Sequence, residues 1–100
     1  MNGWWVYAGA NGSLYTWNDG CPTVGYYGST CGGGFGNYIK LSHGSASGLN
    51  WYTIYAHFRN GTVVASYHSC GSRVGISGSS GNSTGYHLHF EVNAYGHPYD

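Results

Sequence analysis

The sequence predicts an all-β fold, and two observations carry this prediction. Tyr, Trp, Val, Ile and Thr occur in short runs that Gly, Ser and Asn separate, which is the pattern of strands joined by tight turns. No apolar stripe with the 3.6-residue period of a helix is present, and each of the 19 glycines would destabilise a helix by up to about 1 kcal/mol. We therefore expect almost no helix.

Length and charge limit the possible classes of protein. With 100 residues and 10.7 kDa, we expect residues 1–100 to form a single domain. Charged residues make up 6% of the chain, three Lys+Arg against three Asp+Glu, which argues against nucleic-acid binding. No segment approaches the roughly twenty consecutive apolar residues of a membrane span, and the first residues lack the pattern of a signal peptide. We expect neither a nucleic-acid partner nor insertion into a membrane.

Three cysteines, Cys21, Cys31 and Cys70, lack the paired spacing of a structural zinc site. Cys21 and Cys31 bracket a loop rich in Gly, Ser and Tyr, and a disulfide between them would remove up to about 3 kcal/mol of unfolded-state loop entropy. Such a bridge would indicate an oxidising compartment. The alternative is two unpaired small apolar residues, since spacing alone does not establish a bridge. Cys70 is then an odd thiol, either buried or paired outside the chain.

Strands and turns can be placed along the chain from these runs. The predicted strands are residues 5–8, 14–17, 35–43, 51–58, 62–65, 73–76 and 86–93. Asn11-Gly12 is expected to join the first two strands as a hairpin, and Asn60-Gly61 is a second tight turn. Residues 18–34 are expected to leave the sheet as a loop, 44–50 to form a polar turn, and 77–85 to be a loop with an open backbone.

In the three longest strands, alternate residues share a face. The residues predicted to face the core are Phe35, Asn37, Ile39, Leu41, Ile54, Ala56, Phe58, Leu88, Phe90 and Val92. The residues predicted to lie on the opposite face include Tyr55, His57, His87, His89 and Glu91. The sequence therefore predicts that three histidines point away from the apolar residues.

Two of these histidines, His87 and His89, are two positions apart on one strand, so their imidazoles project side by side. A zinc ion binds such neutral ring nitrogens. The alternative is a pair of half-exposed strand histidines with no ligand. His57 on another strand and the glycine-rich loop just before His87 favour the first interpretation, because together they predict three imidazoles in one place.

Five segments occur in the order of a known family. They are Gly36-Asn37-Tyr38-Ile39, Ser42-His43-Gly44, Tyr55-Ala56-His57-Phe58, the loop GISGSSGNSTG at 75–85, and His87-Leu88-His89-Phe90-Glu91. With these segments the chain resembles the lysostaphin-type zinc metallopeptidases of bacterial cell walls, the M23 or LytM family, over about residues 6–91.

The resemblance implies a mostly antiparallel β core whose long loops wall a groove, in which Zn²⁺ cleaves peptide stems or cross-bridges of peptidoglycan. By position, His89 matches a zinc ligand, and His57 and His87 match the two histidines that assist the reaction without binding the metal. Zinc acidifies a bound water and polarises the scissile carbonyl, and an imidazole can deprotonate that water or stabilise the oxyanion. The implied location is extracellular or at the cell wall, in a secreted or phage-borne enzyme.

The remaining histidines and the tyrosines near the motifs have less direct interpretations. His43 matches a position that is structural in the family, and we expect it to be a strand-end histidine rather than a ligand. His68 and His97 match nothing functional and are predicted to be surface turn residues. Tyr38, Tyr55 and Tyr86 either line the groove or pack within the sheet.

The sequence departs from the family pattern at two places. A His-x-x-x-Asp segment, which supplies two further zinc ligands upstream of residues 5–8, is absent, and Tyr86 replaces a common Pro. We expect a core truncated at its N-terminus, whose zinc site an upstream or partner segment completes. The alternatives are an inactive module that binds peptidoglycan or a partner hydrolase, and a structural subunit of an extracellular or virion assembly. An exposed strand edge would also permit oligomers.

Overall fold

The computed structural model describes residues 4–82 and 89–96, and the prediction of an all-β fold is confirmed. The strands are β1 (Trp5–Tyr7), β2 (Ser13–Asn18), β3 (Asn37–Ala46), β4 (Leu49–Phe58), β5 (Arg73–Ile76) and β6 (His89–Gly96). One turn of 3-10 helix, Cys31–Gly34, is the only helix in these two ranges. Nothing in the described part of the chain has the length and hydropathy of a membrane-spanning helix.

The strands form two sheets. A four-stranded sheet has the order β2-β3-β4-β6, and a two-stranded sheet pairs β1 with β5. Every pair of neighbouring strands in both sheets is antiparallel. The antiparallel core implied by the family resemblance is therefore present.

The predicted first hairpin is wrong. Asn11-Gly12 does not join β1 to β2; instead β1 pairs with β5, and β2 pairs with β3. The backbone of Gly12 exchanges two hydrogen bonds with His68, of 2.8 and 2.9 Å, so the chain passes from one sheet to the other at this point. Local turn preference was overridden by pairing between distant segments, which the sequence pattern does not encode.

Two other local predictions also need correction. Residues 62–65 contain no strand, although the amide of Val64 donates to the carbonyl of Val74 over 2.9 Å. The predicted turn at 44–50 is shorter, because β3 and β4 extend to a two-residue turn at Ser47 and Gly48, with φ of 55° and 77°. The strand predicted at 35–43 begins at Asn37 instead, after Phe35.

The core lies between the two sheets. Its buried cluster consists of Val6, Ala8, Ile39, Leu41, Tyr55, Phe58 and Val74. Tyr55 was predicted on the opposite face. It joins the core because it pairs with the buried Ile39, whereas Ile54, which was predicted to face the core, pairs with Lys40 on the other face. The predicted phase of β4 is therefore wrong at these two residues. Phe58 still reaches the core, because the pairing shifts register between Asn37 and Ile39 and His57 has a φ of 63°.

The edge strand β6 is less buried than its pattern predicts. Phe90 and Val92 were predicted to face the core, but their exposed fractions are 49% and 56%. Phe90 lies on the core side, with its ring centroid 5.0 Å from that of Tyr55. β6 is the last strand of its sheet, so in the described residues this side of it is only partly covered. Leu88 lies outside the described residues.

The cysteine prediction is confirmed for the first pair. Cys21 and Cys31 form a disulfide with a Cα–Cα distance of 6.1 Å, which closes the loop that follows β2. Cys70 is a free thiol and is exposed, so the first alternative for it, a buried thiol, is wrong. Pairing outside the chain stays a prediction.

His68 corrects a further expectation. It was predicted to be a surface turn residue, yet its exposed fraction is 2%. Its Nε2 donates to the carbonyl of Val64 over 2.6 Å, and its Nδ1 is 2.7 Å from Oγ of Ser72. The polar neighbours in the sequence are hydrogen-bond partners that make the burial possible, rather than signs of exposure.

Candidate functional site

The structure brings together two of the three predicted site histidines. His57 at the end of β4 and His89 at the start of β6 have ring centroids 5.8 Å apart. They meet because β4 and β6 are neighbours, with Ala56 paired to His89. His87, the third predicted site residue, lies outside the described residues.

His57 is held from several sides, and its side chain is 6% exposed. Its Nδ1 lies 2.7 Å from the carbonyl oxygen of Ser80. A carbonyl can only accept, so Nδ1 carries the proton, and in the neutral ring the lone pair is at Nε2. The backbone is fixed as well: its amide donates to Phe35, and its carbonyl accepts from Gly78, both over 2.9 Å. These bonds hold the left-handed φ of 63°, which a residue with a Cβ rarely adopts.

Behind His57 lies a buried junction, defined here as Asn37, Ser80, Cys21 and Phe58. The amide nitrogen of the Asn37 side chain donates to the carbonyls of Cys21 and Phe58, over 2.9 and 3.0 Å, and its oxygen accepts from the amide of Cys21 over 2.7 Å. Oγ of Ser80 accepts from the backbone amide of Asn37 and donates to the Phe58 carbonyl. The junction ties the disulfide loop, β3 and β4 to the residue whose carbonyl orients His57.

The loop before β6 was predicted to have an open backbone, and its described part is instead buried. The exposed fractions of Ser77, Ser79 and Ser80 are 4%, 1% and 0%. Gly36, with a φ of 67°, packs directly against this loop: a Cβ there would lie 2.5 Å from the carbonyl carbon of Ser80. In residues 77–82 the glycines and serines therefore permit close backbone packing, and this part of the loop is not an exposed row of amides.

His89 has a carboxylate partner, Glu91, two residues further along β6. Nε2 of His89 is 2.6 Å from Oε2 of Glu91. This hydrogen bond is the largest cause that lowers the pKa of Glu91 below its ordinary 4.5, so at neutral pH the carboxylate accepts and Nε2 donates. In a neutral His89 the lone pair is therefore at Nδ1. Phe35 flanks the imidazole, with ring centroids 5.9 Å apart.

Sequence reasoning gave no role to Ser80, Glu91 or Phe35 in this site. The signal for Glu91 was available, because a residue two positions from His89 on a strand shares its face. Ser80 acts on His57 through its backbone carbonyl, which leaves no side-chain signature. Phe35 was predicted to face the core.

Among the other predicted residues, His43 and Tyr55 take structural positions. Nδ1 of His43 donates to the carbonyl of Asn11 over 2.6 Å, and its Nε2 is 2.7 Å from Oγ1 of Thr53, in accord with a structural histidine. Tyr55 is buried in the core, and its hydroxyl accepts from the amide of Gly9. Tyr38 is half-buried, with its ring 5.5 Å from that of Phe35. Tyr86 and His97 lie outside the described residues.

The donor chemistry can be compared with what a metal needs. A catalytic zinc ion normally has three protein ligands. His89 is suited to be one, because a carboxylate fixes one ring nitrogen and leaves the other as a donor. Within 4–82 and 89–96, however, no group of three or more His, Cys, Asp or Glu side chains could hold a metal ion. The described residues therefore fit part of a zinc site and do not complete one.

Comparison with known proteins gives consistent matches. The model of peptidase family M23 matches residues 2–100. An uncharacterized metalloprotease of Haemophilus influenzae is 38% identical over 65 residues, covering 64% of this chain and 13% of its own. The DD-carboxypeptidase/endopeptidase Mpg of Neisseria meningitidis is 38% identical over 66 residues, or 66% of this chain and 14% of that protein. The peptidoglycan DD-endopeptidase ShyA of Vibrio cholerae is 38% identical over 64 residues, which cover 63% of this chain and 14% of that protein.

A solved structure is similar over nearly the whole chain. The catalytic domain of the antimicrobial peptidase lysostaphin from Staphylococcus simulans superposes with a TM-score of 0.62 at 26% identity, over 98% of this chain and 64% of that one. The chain spans only 13–14% of the length of the curated relatives it matches.

Proposed function

Because the chain belongs to peptidase family M23, we propose that it forms the histidine-bearing part of a zinc endopeptidase domain that cleaves peptide bonds in peptidoglycan. The observation that carries the proposal is the His57–His89 pair, in which an oxygen acceptor fixes one nitrogen of each ring. In this proposal residues 1–100 belong to one domain that works outside the cell or at the cell wall.

His89 is assigned as the zinc ligand, through Nδ1. Its Nε2 donates to Glu91, which fixes the tautomer, orients the ring and makes the other nitrogen more basic. Asn93 supports the same carboxylate, with its Nδ2 at 3.4 Å from Oε1 of Glu91. Glu91 is therefore a positioning residue.

His57 and His87 are assigned as the imidazoles that assist the reaction without binding the metal. When bound, zinc would lower the pKa of a coordinated water and polarise the scissile carbonyl. His57 holds its proton at Nδ1 against Ser80, so Nε2 is the atom that can take a proton, and once protonated it can stabilise negative charge on the substrate. The junction that fixes Ser80 keeps this nitrogen in place during proton transfer.

Peptidoglycan is proposed as the substrate on the basis of family and relatives. ShyA is named a peptidoglycan DD-endopeptidase, and Mpg a DD-carboxypeptidase/endopeptidase. The proposal requires further metal ligands from residues outside the described ranges, from an upstream segment or from a partner, because His89 alone cannot hold a catalytic zinc ion.

The proposal is tested by zinc binding to the 100-residue chain after removal of metal with a chelator. We expect zinc to bind the wild type at least tenfold more tightly than His89→Ala. We expect His43→Ala to bind zinc as the wild type does, because both ring nitrogens of this matched histidine are in hydrogen bonds. Release of new amino groups from purified peptidoglycan should follow the same order. Measurable zinc binding that is equal in the wild type and His89→Ala would contradict the proposal.

A further inference from the structure

Lys40 lies on the same face of the four-stranded sheet as His89. It pairs with Ile54 on β4, and Ile54 pairs with Glu91 on β6, so these three residues form one row across the sheet. Glu91 follows His89 by two positions, which places the row of Lys40 about 7 Å from that of His89 along the strands. Lys40 is therefore close enough to contact a peptide that extends from His89.

Three tyrosines surround the ammonium group of Lys40. We name Tyr15, Tyr52 and Tyr95 the tyrosine platform. Nζ of Lys40 lies 5.1, 4.9 and 5.5 Å from their ring centroids. Tyr52 packs against both of the others, with centroid distances of 4.9 and 5.5 Å, while Tyr15 and Tyr95 remain 58% and 50% exposed. The platform holds the ammonium group in place and leaves aromatic surface open to a ligand.

No carboxylate of the described residues is within ion-pair distance of Lys40, although the positive charge of Lys40 is one of the smaller causes that lower the pKa of Glu91. Aromatic faces attract a cation but do not satisfy its three N–H donors as oxygen acceptors do. Glu91 is the nearest acidic residue in the row, and its two oxygens already contact His89 and Asn93. In the described ranges the only pair of opposite charge within ion-pair distance is His89–Glu91, so Lys40 has no such partner there. An anionic group of a ligand would complement it.

We propose that Lys40 and the tyrosine platform form a carboxylate-binding subsite, which holds a peptide substrate by an acidic group located beyond the bond presented to His57 and His89. The ammonium group pairs with the carboxylate, and the exposed rings contact the small apolar groups beside it. This inference rests on the proposed function for its substrate class, a peptide. Beyond that function, it predicts that the protein binds peptides with a carboxylate near the scissile bond more tightly than peptides without one.

The test is the binding of a matched pair of peptides to the isotope-labelled 100-residue chain, followed by NMR. The probes are Nα-acetyl-D-Ala-D-Ala with a free carboxylate and the same peptide as its carboxamide. We expect the carboxylate to bind about fivefold more tightly to the wild type, as one partly exposed ion pair allows, with shifts at the platform. The preference should weaken at high salt. Lys40→Gln should bind both peptides equally, and Lys40→Arg should retain the preference.

Two controls separate the possible failures. Arg73→Gln removes a positive charge from the other sheet, where Arg73 stacks on Trp5, and should keep the wild-type preference. His89→Ala should lose zinc while keeping the preference for the carboxylate, so failure of the zinc proposal and failure of this one are distinguishable. Equal binding of the two peptides to the wild type, or an unchanged preference in Lys40→Gln, would overturn the subsite. Shifts of the platform by an N-acetylglucosamine oligosaccharide and not by the peptide would also overturn it.

Discussion

The two regions on either side of the site histidines are built in opposite ways. The buried junction around Asn37 joins backbone groups from three segments, and in the described residues no buried side-chain nitrogen or oxygen lacks a hydrogen-bond partner. The tyrosine platform around Lys40 is half open and holds a charge without a direct ion-pair partner in the described residues. One region has its polar groups satisfied internally, and the other leaves donors for a ligand.

This difference indicates that the junction serves mainly to fix the position of His57, whereas the platform serves mainly to bind a ligand. Hydrogen bonds to backbone groups fix the position of His57 and contribute to folding, so changes in the junction should lower stability together with any activity. The platform adds little to folding, since exposed cation–π contacts are worth roughly 0.5–1 kcal/mol. Substitutions there should alter binding and leave stability almost unchanged.

The largest effect is expected from Gly36→Ala. The new Cβ would lie 2.5 Å from the carbonyl carbon of Ser80 and 2.7 Å from the amide nitrogen of Gly81, which are backbone atoms that cannot rotate away. We expect a loss of more than about 4 kcal/mol in the free energy of unfolding, or no folded protein. The matched control is Gly44→Ala, where φ is also positive, at 83°, and nothing lies within 4 Å. It should lose only about 1–2 kcal/mol. Equal losses in urea unfolding would show that backbone packing at Gly36 is not tight.

A smaller but still large effect is expected from Asn37→Ala. It removes three side-chain hydrogen bonds in a fully buried position and leaves the amide and carbonyl of Cys21 without their partner. We expect a loss of about 3 kcal/mol. Asn50→Ala is the control, because the exposed Asn50 side chain accepts one hydrogen bond, from Ser45, and its loss should change stability by less than about 0.5 kcal/mol. Thermal or urea unfolding measures both, and similar values would contradict the assigned role of the junction.

The smallest effect concerns Glu91, on the exposed face. His89 lowers the pKa of this carboxyl, so its ionised form contributes stability above its ordinary pKa of 4.5, and the contribution disappears as the pH falls through the lowered value. Because the His89 and Glu91 side chains are 39% and 36% exposed, solvent screening keeps the contribution small. Urea unfolding of wild type and Glu91→Gln between neutral and acidic pH should show a small advantage of the wild type that vanishes in acid. Parallel curves at every pH would mean that the pair adds nothing to folding.

The parts of the fold that the sequence predicted correctly depend on local pattern. Strict alternation placed Asn37, Ile39 and Leu41 on the buried face of β3. The bracketing positions of Cys21 and Cys31 indicated their disulfide. The pairing of β1 with β5 was missed because both strands are short and their partners are far apart in the chain. Alternation also could not reveal that Phe90 and Val92 belong to an edge strand with partial cover.

The sequence predicted which histidine side chains belong to the candidate site, but not the backbone geometry that orients them. The resemblance to the family pointed to His57 and His89, and the structure places their rings side by side. The left-handed φ of His57 and its bond to the Ser80 carbonyl depend on backbone geometry, for which the sequence holds no direct signal. The burial of His68 was missed for a related reason, since its partners are a backbone carbonyl and one serine hydroxyl.

The β1–β5 ladder has a consequence for the order in which the molecule is assembled. The β3–β4 hairpin can form as soon as its own residues are available, but Trp5 pairs with Ile76, so β1 must wait until most of the chain has been synthesised. Val6 and Ala8 belong to the core cluster, so their burial is delayed until β1 has paired. The pairing of β1 with β5 therefore closes a loop of most of the chain, the kind of contact that makes folding slow. While the chain emerges from the ribosome, the apolar face of the hairpin stays uncovered. In an oxidising compartment, the disulfide between Cys21 and Cys31 could therefore form before the core closes.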